Sequence, residues 1–194
     1  MNPIYPNNNH IMNTLLVTIL TLLLCMVPNA HAAEPWQEKL QHQLPLLGHR
    51  NWIVVVDSAY PLQTAPGIET VYAGAGQTEV VKEVIAALAK TQHVKPTIYL
   101  DAEMKFVAEK DAPGISAYRE DLKAILANQP AQVLPHEQII AKLDEAGKTF
   151  KVLVIKTPLT TPYTSVFFQL ECGYWNADAE KRMREAMKAM KAVE

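Results

Sequence analysis

The chain alternates short apolar blocks with segments whose apolar residues recur every three or four positions. Ile53, Val54, Val55 and Val56 form an unbroken β-branched block, the pattern of a strand covered on both faces, as in a parallel sheet. IETVYA (68–73), PTIYLD (96–101), the short AQVLP (131–135), FKVLVIK (150–156) and TSVFFQLE (164–171) predict further strands. Between them, Val81, Val84, Ile85 and Leu88 lay one apolar stripe along a helix over 78–91, and Leu122, Ile125 and Leu126 do the same over 115–128. HEQIIAKLDEAG (136–147) predicts a helix closed by Gly147, and EPWQEKLQHQLPLL (34–47) one that tolerates Pro35 in its first turn and ends or bends at Pro45. The alternation implies an α/β fold, a three-layer domain with a mostly parallel sheet.

The two ends of the chain follow other patterns. LLVTILTLLLCMV (15–27) is strongly apolar but short for a membrane span, and Ala30-His31-Ala32 after it fits the small-x-small pattern of a secretory cleavage site. This predicts a signal peptide over 1–33, cut near Ala32 or Ala33, and an exported protein, periplasmic or secreted. The leading MNPIYPNNNHIMN lacks the usual Lys or Arg, and an uncleaved anchor is the alternative. A domain over 34–175 follows, then NADAEKRMREAMKAMKAVE (176–194), a helix that Asn176 can cap. Its Met183, Ala186, Met187 and Met190 form a narrow stripe for packing on the body or on a neighbouring subunit, with a membrane-surface helix as the alternative.

Composition narrows the function classes. With 194 residues, 49% of them hydrophobic, and a formal charge of -2, the chain suits one globular domain and carries no basic excess for nucleic acid. Cys172 is the one cysteine left after cleavage, so the mature fold makes no internal disulfide and rests on its core. VYAGAGQTEV sets Gly74 and Gly76 between a strand and a helix, where a dinucleotide loop would lie. The third glycine position of that fingerprint falls on Glu79, whose carboxylate repels a pyrophosphate, so the glycines are assigned to a tight turn.

Four polar residues adjoin strands: His49 before the first, Asp57 at its end, His136 at a helix start, and Tyr163 before the last strand. Each has an ordinary reading, as a loop residue, a turn cap, a solvated first-turn residue and a packing aromatic. Ligands of open parallel sheets bind at the carboxyl ends of the strands, and four such residues together imply a cleft.

LGH, a strand ending in Asp57 with Pro61 in the turn after it, HEQ before a helix, and TPY leading into the last strand form an ordered set from about Leu47 to Gly173. This order resembles the D-ribose pyranase and L-fucose mutarotase family. The resemblance implies an isomerase that interconverts cyclic forms of a monosaccharide without a metal or organic cofactor. It implies that His49 transfers protons, and that Asp57, His136 and the segment Tyr163, Thr164 and Ser165 bind the sugar. It also implies a homo-oligomer, often a decamer, with sites between subunits. Fucose-type members tend to carry Arg where His136 stands, so that position is ribose-like. The chain departs from the family in Arg50-Asn51, where an acidic pair is common, in Ser165, where Asn is usual, in its leader and in its terminal helix.

The chemistry suits these residues. Opening a pyranose takes the proton from the anomeric hydroxyl and protonates the ring oxygen, and an imidazole of ordinary pKa near ~6.5 does either at neutral pH. An exported sugar-binding protein without turnover is the alternative on the same fold. A hydrolase is disfavoured, because neither a nucleophile elbow nor a glycosidase-like carboxylate pair is evident. At ~3.3 Å per residue, an extended segment from His49 to Asp57 is too long for both to touch one sugar. Either the loop at Arg50 and Asn51 doubles back, or a neighbouring subunit supplies one of the two.

Overall fold

The computed structural model describes residues 35–127 and 129–191. The leader expected over 1–33 lies outside the described residues. Helix α1 (Trp36–Gln43) passes into a 3-10 turn (Leu44–Leu46) at Pro45, so the proline tightens the helix end as expected. There follow β1 (Trp52–Val56), β2 (Ile68–Tyr72), α2 (Gln77–Ala89), β3 (Val94–Asp101), α3 (Ile115–Ile125), β4 (Ala131–Leu134), α4 (His136–Gly147), β5 (Val152–Lys156), β6 (Val166–Cys172) and α5 (Ala177–Lys191). No helix among the described residues is long and apolar enough to cross a membrane.

The six strands form one sheet in the order β2-β5-β1-β6-β3-β4. Strands β1, β2 and β5 pair in parallel, as do β3 and β4, while β6 runs antiparallel to both β1 and β3. The mostly parallel sheet of the sequence reading is therefore present, with its one reversed strand near the centre. All five residues of β1 are buried because both sheet faces are covered. Ile53 and Val55 pack with Val80, Val84, Ile115 and Leu122 from α2 and α3, and Trp52, Val54 and Val56 pack on the other face with Ile139 and Leu143 from α4. Each face thus holds its own core, and the layers are helix, sheet, helix.

Two elements differ from their expected bounds for local reasons. β3 begins at Val94, ahead of Pro96, although proline is poor inside a sheet. It is tolerated because β4 pairs only with Ile98 to Asp101, so Pro96 faces a neighbour on the β6 side alone, opposite Leu170. Helix α3 stops at Ile125, before the expected 128, because the backbone of Leu126 leaves the helical region while its side chain stays buried. In α5, Asn176 Oδ1 accepts from Ala179 N at 2.9 Å, as a cap should, and Met183, Met187 and Met190 are exposed. Within one chain that stripe does not pack on the body.

Two glycines set how closely α4 approaches the sheet. A Cβ on Gly67 would run into the carbonyl oxygens of Gly147 and Phe150, and one on Gly147 would lie 2.8 Å from Ile68 Cδ1. Backbone oxygens cannot swing aside as a side chain can. Gly67→Ala is therefore expected to cost about 1–3 kcal/mol through overpacking, read as a lower urea midpoint with an unchanged slope; an unaltered midpoint would show that this contact relaxes freely.

Candidate active site

The reversal of β6 builds the cleft. Because β6 runs against its neighbours, the segment that precedes it sits at the same sheet edge as the carboxyl ends of β1 and β3, where Asp57 and Asp101 emerge. The helix start of α4 follows β4 at that edge and brings His136. Asp57, Tyr60, Asp101, His136, Tyr163 and Ser165 line one cavity of about 280 Å³ there. That is near the low end of ligand-pocket sizes and suits a small molecule. A larger groove of about 690 Å³, lined by Leu100, Leu122 and Leu126, contains none of these residues.

Each cleft residue is held by identifiable contacts. Asp57 Oδ1 accepts from Ala59 N at 2.8 Å, so the carboxylate caps its turn and lines the cleft at once. Lys156 Nζ donates to Tyr60 O at 2.7 Å, which ties the loop after β1 to the end of β5. Burial, then the carboxylates of Asp144 and Asp101, push the Tyr60 phenol up to about 12, so it remains a neutral donor. The His136 backbone N–H donates to both carboxylate oxygens of Glu103, at 3.1 and 3.0 Å, a charge placed well for the positive end of α4. The His136 ring stands edge-on to Tyr163, with centroids 5.6 Å apart and planes at 82°. Tyr163 itself has φ +57°, a left-handed conformation that costs energy for a residue with a side chain and persists where surrounding structure enforces it.

Asp101 is the least comfortable group in the cleft. Its side chain has 0% exposure, its Oδ1 lies 3.1 Å from His136 Nδ1, and its Oδ2 has no hydrogen-bond partner among the described residues. Burial raises its pKa to about 6; the His136 ring opposes that shift, and the nearby Glu103 and Asp57 add to it.

Behind the cleft lies a buried polar network. Gln77 Nε2 donates to the Tyr118 hydroxyl at 3.1 Å and to the carbonyl of Thr164, which also accepts from Tyr118 at 2.6 Å. The Thr157 hydroxyl has its one proton to share between two acceptors, Gln77 Oε1 at 2.9 Å and Val56 O at 3.0 Å. Burial pushes the Tyr118 phenol far up, so it stays protonated and donates. The Thr164 hydroxyl donates to Thr161 O at 2.8 Å and is itself buried. Thr164 is therefore occupied in holding the segment, while Tyr163 and Ser165 on either side of it line the cavity.

His49 lies at the opposite edge of the sheet. It precedes β1, at the amino ends of the parallel strands, and lines a separate cavity of about 570 Å³ with Arg50, Trp52, Lys142, Phe150 and Gln169. Its Nε2 is 3.0 Å from Glu171 Oε2 at the far end of β6, and the ring is half exposed. Asn51 shapes the turn: its Oδ1 accepts from Gly48 N at 2.7 Å and its Nδ2 donates to Lys151 O at 3.1 Å. Arg50 takes φ +75° and lies over the Phe150 ring at 5.6 Å. The chain makes a tight turn over Gly48 to Asn51, closed by Asn51 N donating to Gly48 O at 3.0 Å, but that turn leaves His49 at the amino end of β1 and does not carry it back towards Asp57. The fold unites Asp57, His136, Tyr163 and Ser165, and keeps His49 apart from them within one chain.

Sequence reasoning missed Asp101 and the Gln77, Tyr118 and Thr157 network. Asp101 had a visible signal, because PTIYLD ends in a carboxylate just as WIVVVD does. Gln77 had none; its importance comes from burial beside a distant loop. Among the described residues, no group of three or more His, Cys, Asp or Glu is arranged to hold a metal ion.

Comparison with known proteins adds the family. The sequence model described as the RbsD / FucU transport protein family matches residues 36–173, nearly all of the folded domain, and the chain belongs to this family of sugar pyranases and mutarotases. No curated protein matches the chain. Among solved structures it is similar to Bacillus subtilis RbsD complexed with D-ribose, at 23% identity over 75% of this chain and 94% of that one, with a TM-score of 0.47. It is also similar to FucU from Bifidobacterium longum, at 17% identity over 71% and 98% of the two chains and a TM-score of 0.48. The fucose mutarotase of Streptococcus pneumoniae in complex with L-fucose is 16% identical over 75% and 96% of the two chains, with a TM-score of 0.46.

The raised pKa of Asp101 predicts a pH-dependent cost. The carboxyl ionises at 3.8 when free and at about 6 in the fold, so its favourable share of stability is complete below about 4 and is lost as pH rises through about 6. His136, Glu103, Asp57, Tyr60 and Tyr118 face it from the surrounding elements and remain in the Asn variant. Melting temperatures of the parent and Asp101→Asn are expected to diverge over that window, with the parent losing ground as pH rises. A constant difference would show that the buried carboxyl is not the group titrating there.

Proposed function

We propose that the protein is a monosaccharide mutarotase or pyranase, which opens and recloses the ring of ribose, fucose or a similar sugar by proton transfer. The observation that carries this reading is the convergence of Asp57, His136, Tyr163 and Ser165 on one small cavity at the carboxyl edge of the sheet. These groups supply donors and acceptors for sugar hydroxyls. In the reaction, a base removes the proton of the anomeric hydroxyl, the bond from C1 to the ring oxygen breaks as the aldehyde forms, and an acid protonates the departing ring oxygen. Rotation about the C1–C2 bond and reclosure give the other anomer, and attack by a different hydroxyl gives the other ring size. His49 is the assigned acid-base catalyst, and a placed group of this kind contributes roughly 10² to 10⁴ in rate.

The separation of His49 from the cleft gives this reading its assembly. A sugar bound at Asp57 is out of reach of His49 in the same chain, so the reaction requires His49 of a neighbouring copy in a homo-oligomer. The cavity around His49, with Arg50 and Lys142 in its wall, offers an open face for such a neighbour. His49→Ala is expected to abolish anomer exchange, measured by saturation-transfer NMR on ribose and fucose, while the fold is retained. Mixing inactive His49→Ala with inactive Asp57→Ala subunits is expected to restore part of the activity. A mixture that stays inactive after verified subunit exchange argues for sites within one chain. Sugar binding without exchange in the parent protein would favour the non-catalytic, sugar-binding alternative.

Export belongs to the same proposal. The apolar run over 15–27 and Ala30-His31-Ala32 support a cleaved leader, which sets the protein on sugars outside the cytoplasm. The protein recovered from cells is expected to begin at Ala33 or Glu34 by N-terminal sequencing; an intact Met1 or Met12 would mean that the leader is kept.

A further inference from the structure

The resemblance gives His136 a role in binding and assigns nothing to Asp101, yet Asp101 is the side chain against which the His136 ring is set. Its Oδ1 lies 3.1 Å from Nδ1, and the carboxyl is completely buried with Oδ2 unpartnered among the described residues. An ionised carboxylate only accepts hydrogen bonds. A neutral imidazole facing one therefore keeps its proton on Nδ1 and carries its lone pair on Nε2. No described residue bonds Nε2, and the ring is 30% exposed where it lines the cavity. Glu103 fixes the His136 backbone, and Tyr163 stands against the ring at 82°, so both orientation and tautomer are set before a ligand arrives. A histidine oriented by a buried aspartate, with its other nitrogen open to a cleft, is the arrangement of a general base.

We propose that His136 is a second proton-transfer residue of the cleft and that Asp101 is its positioning residue, holding the Nδ1–H tautomer so that Nε2 takes a proton from a sugar hydroxyl. This rests on the mutarotase reading and deepens it. Ring opening needs two proton positions, one at the anomeric hydroxyl and one at the ring oxygen. His136 Nε2 takes the proton of the anomeric hydroxyl, the electron pair of the broken bond between C1 and the ring oxygen goes to that oxygen, and the ring oxygen receives a proton from the imidazolium of His49. Reclosure returns both protons, so the sugar and the two histidines end with the protons they began with. The unpartnered Oδ2 of Asp101 is the cost of this arrangement, since a core serving stability alone would leave no buried carboxylate oxygen unbonded.

The test uses the full chain, labelled with ¹⁵N and studied at about pH 8, above the pH of about 6 at which Asp101 ionises. Long-range ¹H–¹⁵N correlation spectra read the tautomer of His136, with its signals assigned by their loss in His136→Asn. The parent is expected to show Nδ1–H, and Asp101→Ala the Nε2–H form that free imidazole side chains favour. Asp101→Asn preserves volume and serves if the alanine variant does not fold. Its kcat for anomer exchange is expected to fall about 10- to 100-fold, the scale on which losing a histidine's outer partner acts at other sites, with KM changed little. A parent in the Nε2–H form, or an Asp101→Asn protein with unchanged kcat, overturns the proposal. A parent that exchanges neither ribose nor fucose anomers overturns the mutarotase reading instead, and the tautomer spectrum still decides whether Asp101 sets the ring.

Discussion

The cleft depends on one antiparallel strand in an otherwise parallel sheet. Five strands present their carboxyl ends at one edge and their amino ends at the other, and β6 alone runs the opposite way between β1 and β3. Without that reversal, the loop carrying Tyr163 and Ser165 would enter its strand at the edge where His49 lies. The reversal is secured by burial: Val166, Phe167, Phe168 and Leu170 are fully enclosed, and Phe167 and Phe168 point into the two separate cores. A slip of one residue would exchange those two faces and swap every contact of the strand, so its register is strongly determined.

A loop that runs from β5 over β1 to reach β6 must satisfy its own backbone while partly buried. Gln77 solves this from the first turn of α2, by donating to the Thr164 carbonyl and accepting from Thr157, the two ends of the crossing segment. Tyr118 adds a second donor from α3. Each is a polar side chain placed in a mainly apolar layer, which is costly unless every bond is made, and here the bonds close on one another. The strained backbone of Tyr163 is supported from both sides by this frame, and its ring in turn limits His136. Local propensity opposes the conformation, and tertiary structure imposes it.

The layers and strands were legible in the sequence because their signal is local. β-branched runs and apolar stripes report which faces are covered, and β1 reads correctly even to its burial on both sides. The order of strands was not legible. Nothing within TSVFFQLE states that it pairs backwards with two strands far away in sequence. Of the cleft, Asp57, His136, Tyr163 and Ser165 were reached through their motifs, because strand ends and helix starts are where side chains converge. Asp101 ends its strand in the same way as Asp57, yet it lacks a recognisable neighbouring motif. Thr164 shows the converse, since a residue inside a recognised motif has its hydroxyl and carbonyl committed to the frame.

His49 and Asp57 flank the same strand, and that strand holds them at opposite edges of the sheet. A fully buried, β-branched β1 cannot bend to bring its ends together, because any kink would expose apolar surface on both faces and break pairing with β5 and β6. The rigidity that fixes His49 and Asp57 therefore prevents one chain from bringing them to one cavity. On the proposed mutarotase reading, assembly offers a route that a loop does not: a second copy would present the His49 edge without deforming the first. On this view the turn at Gly48 to Asn51 has been stiffened for that purpose, by the Asn51 bonds and by Arg50 lying on Phe150. A catalytic group delivered across an interface must arrive pre-oriented, because the ordering entropy of a loose loop would be added to that of association.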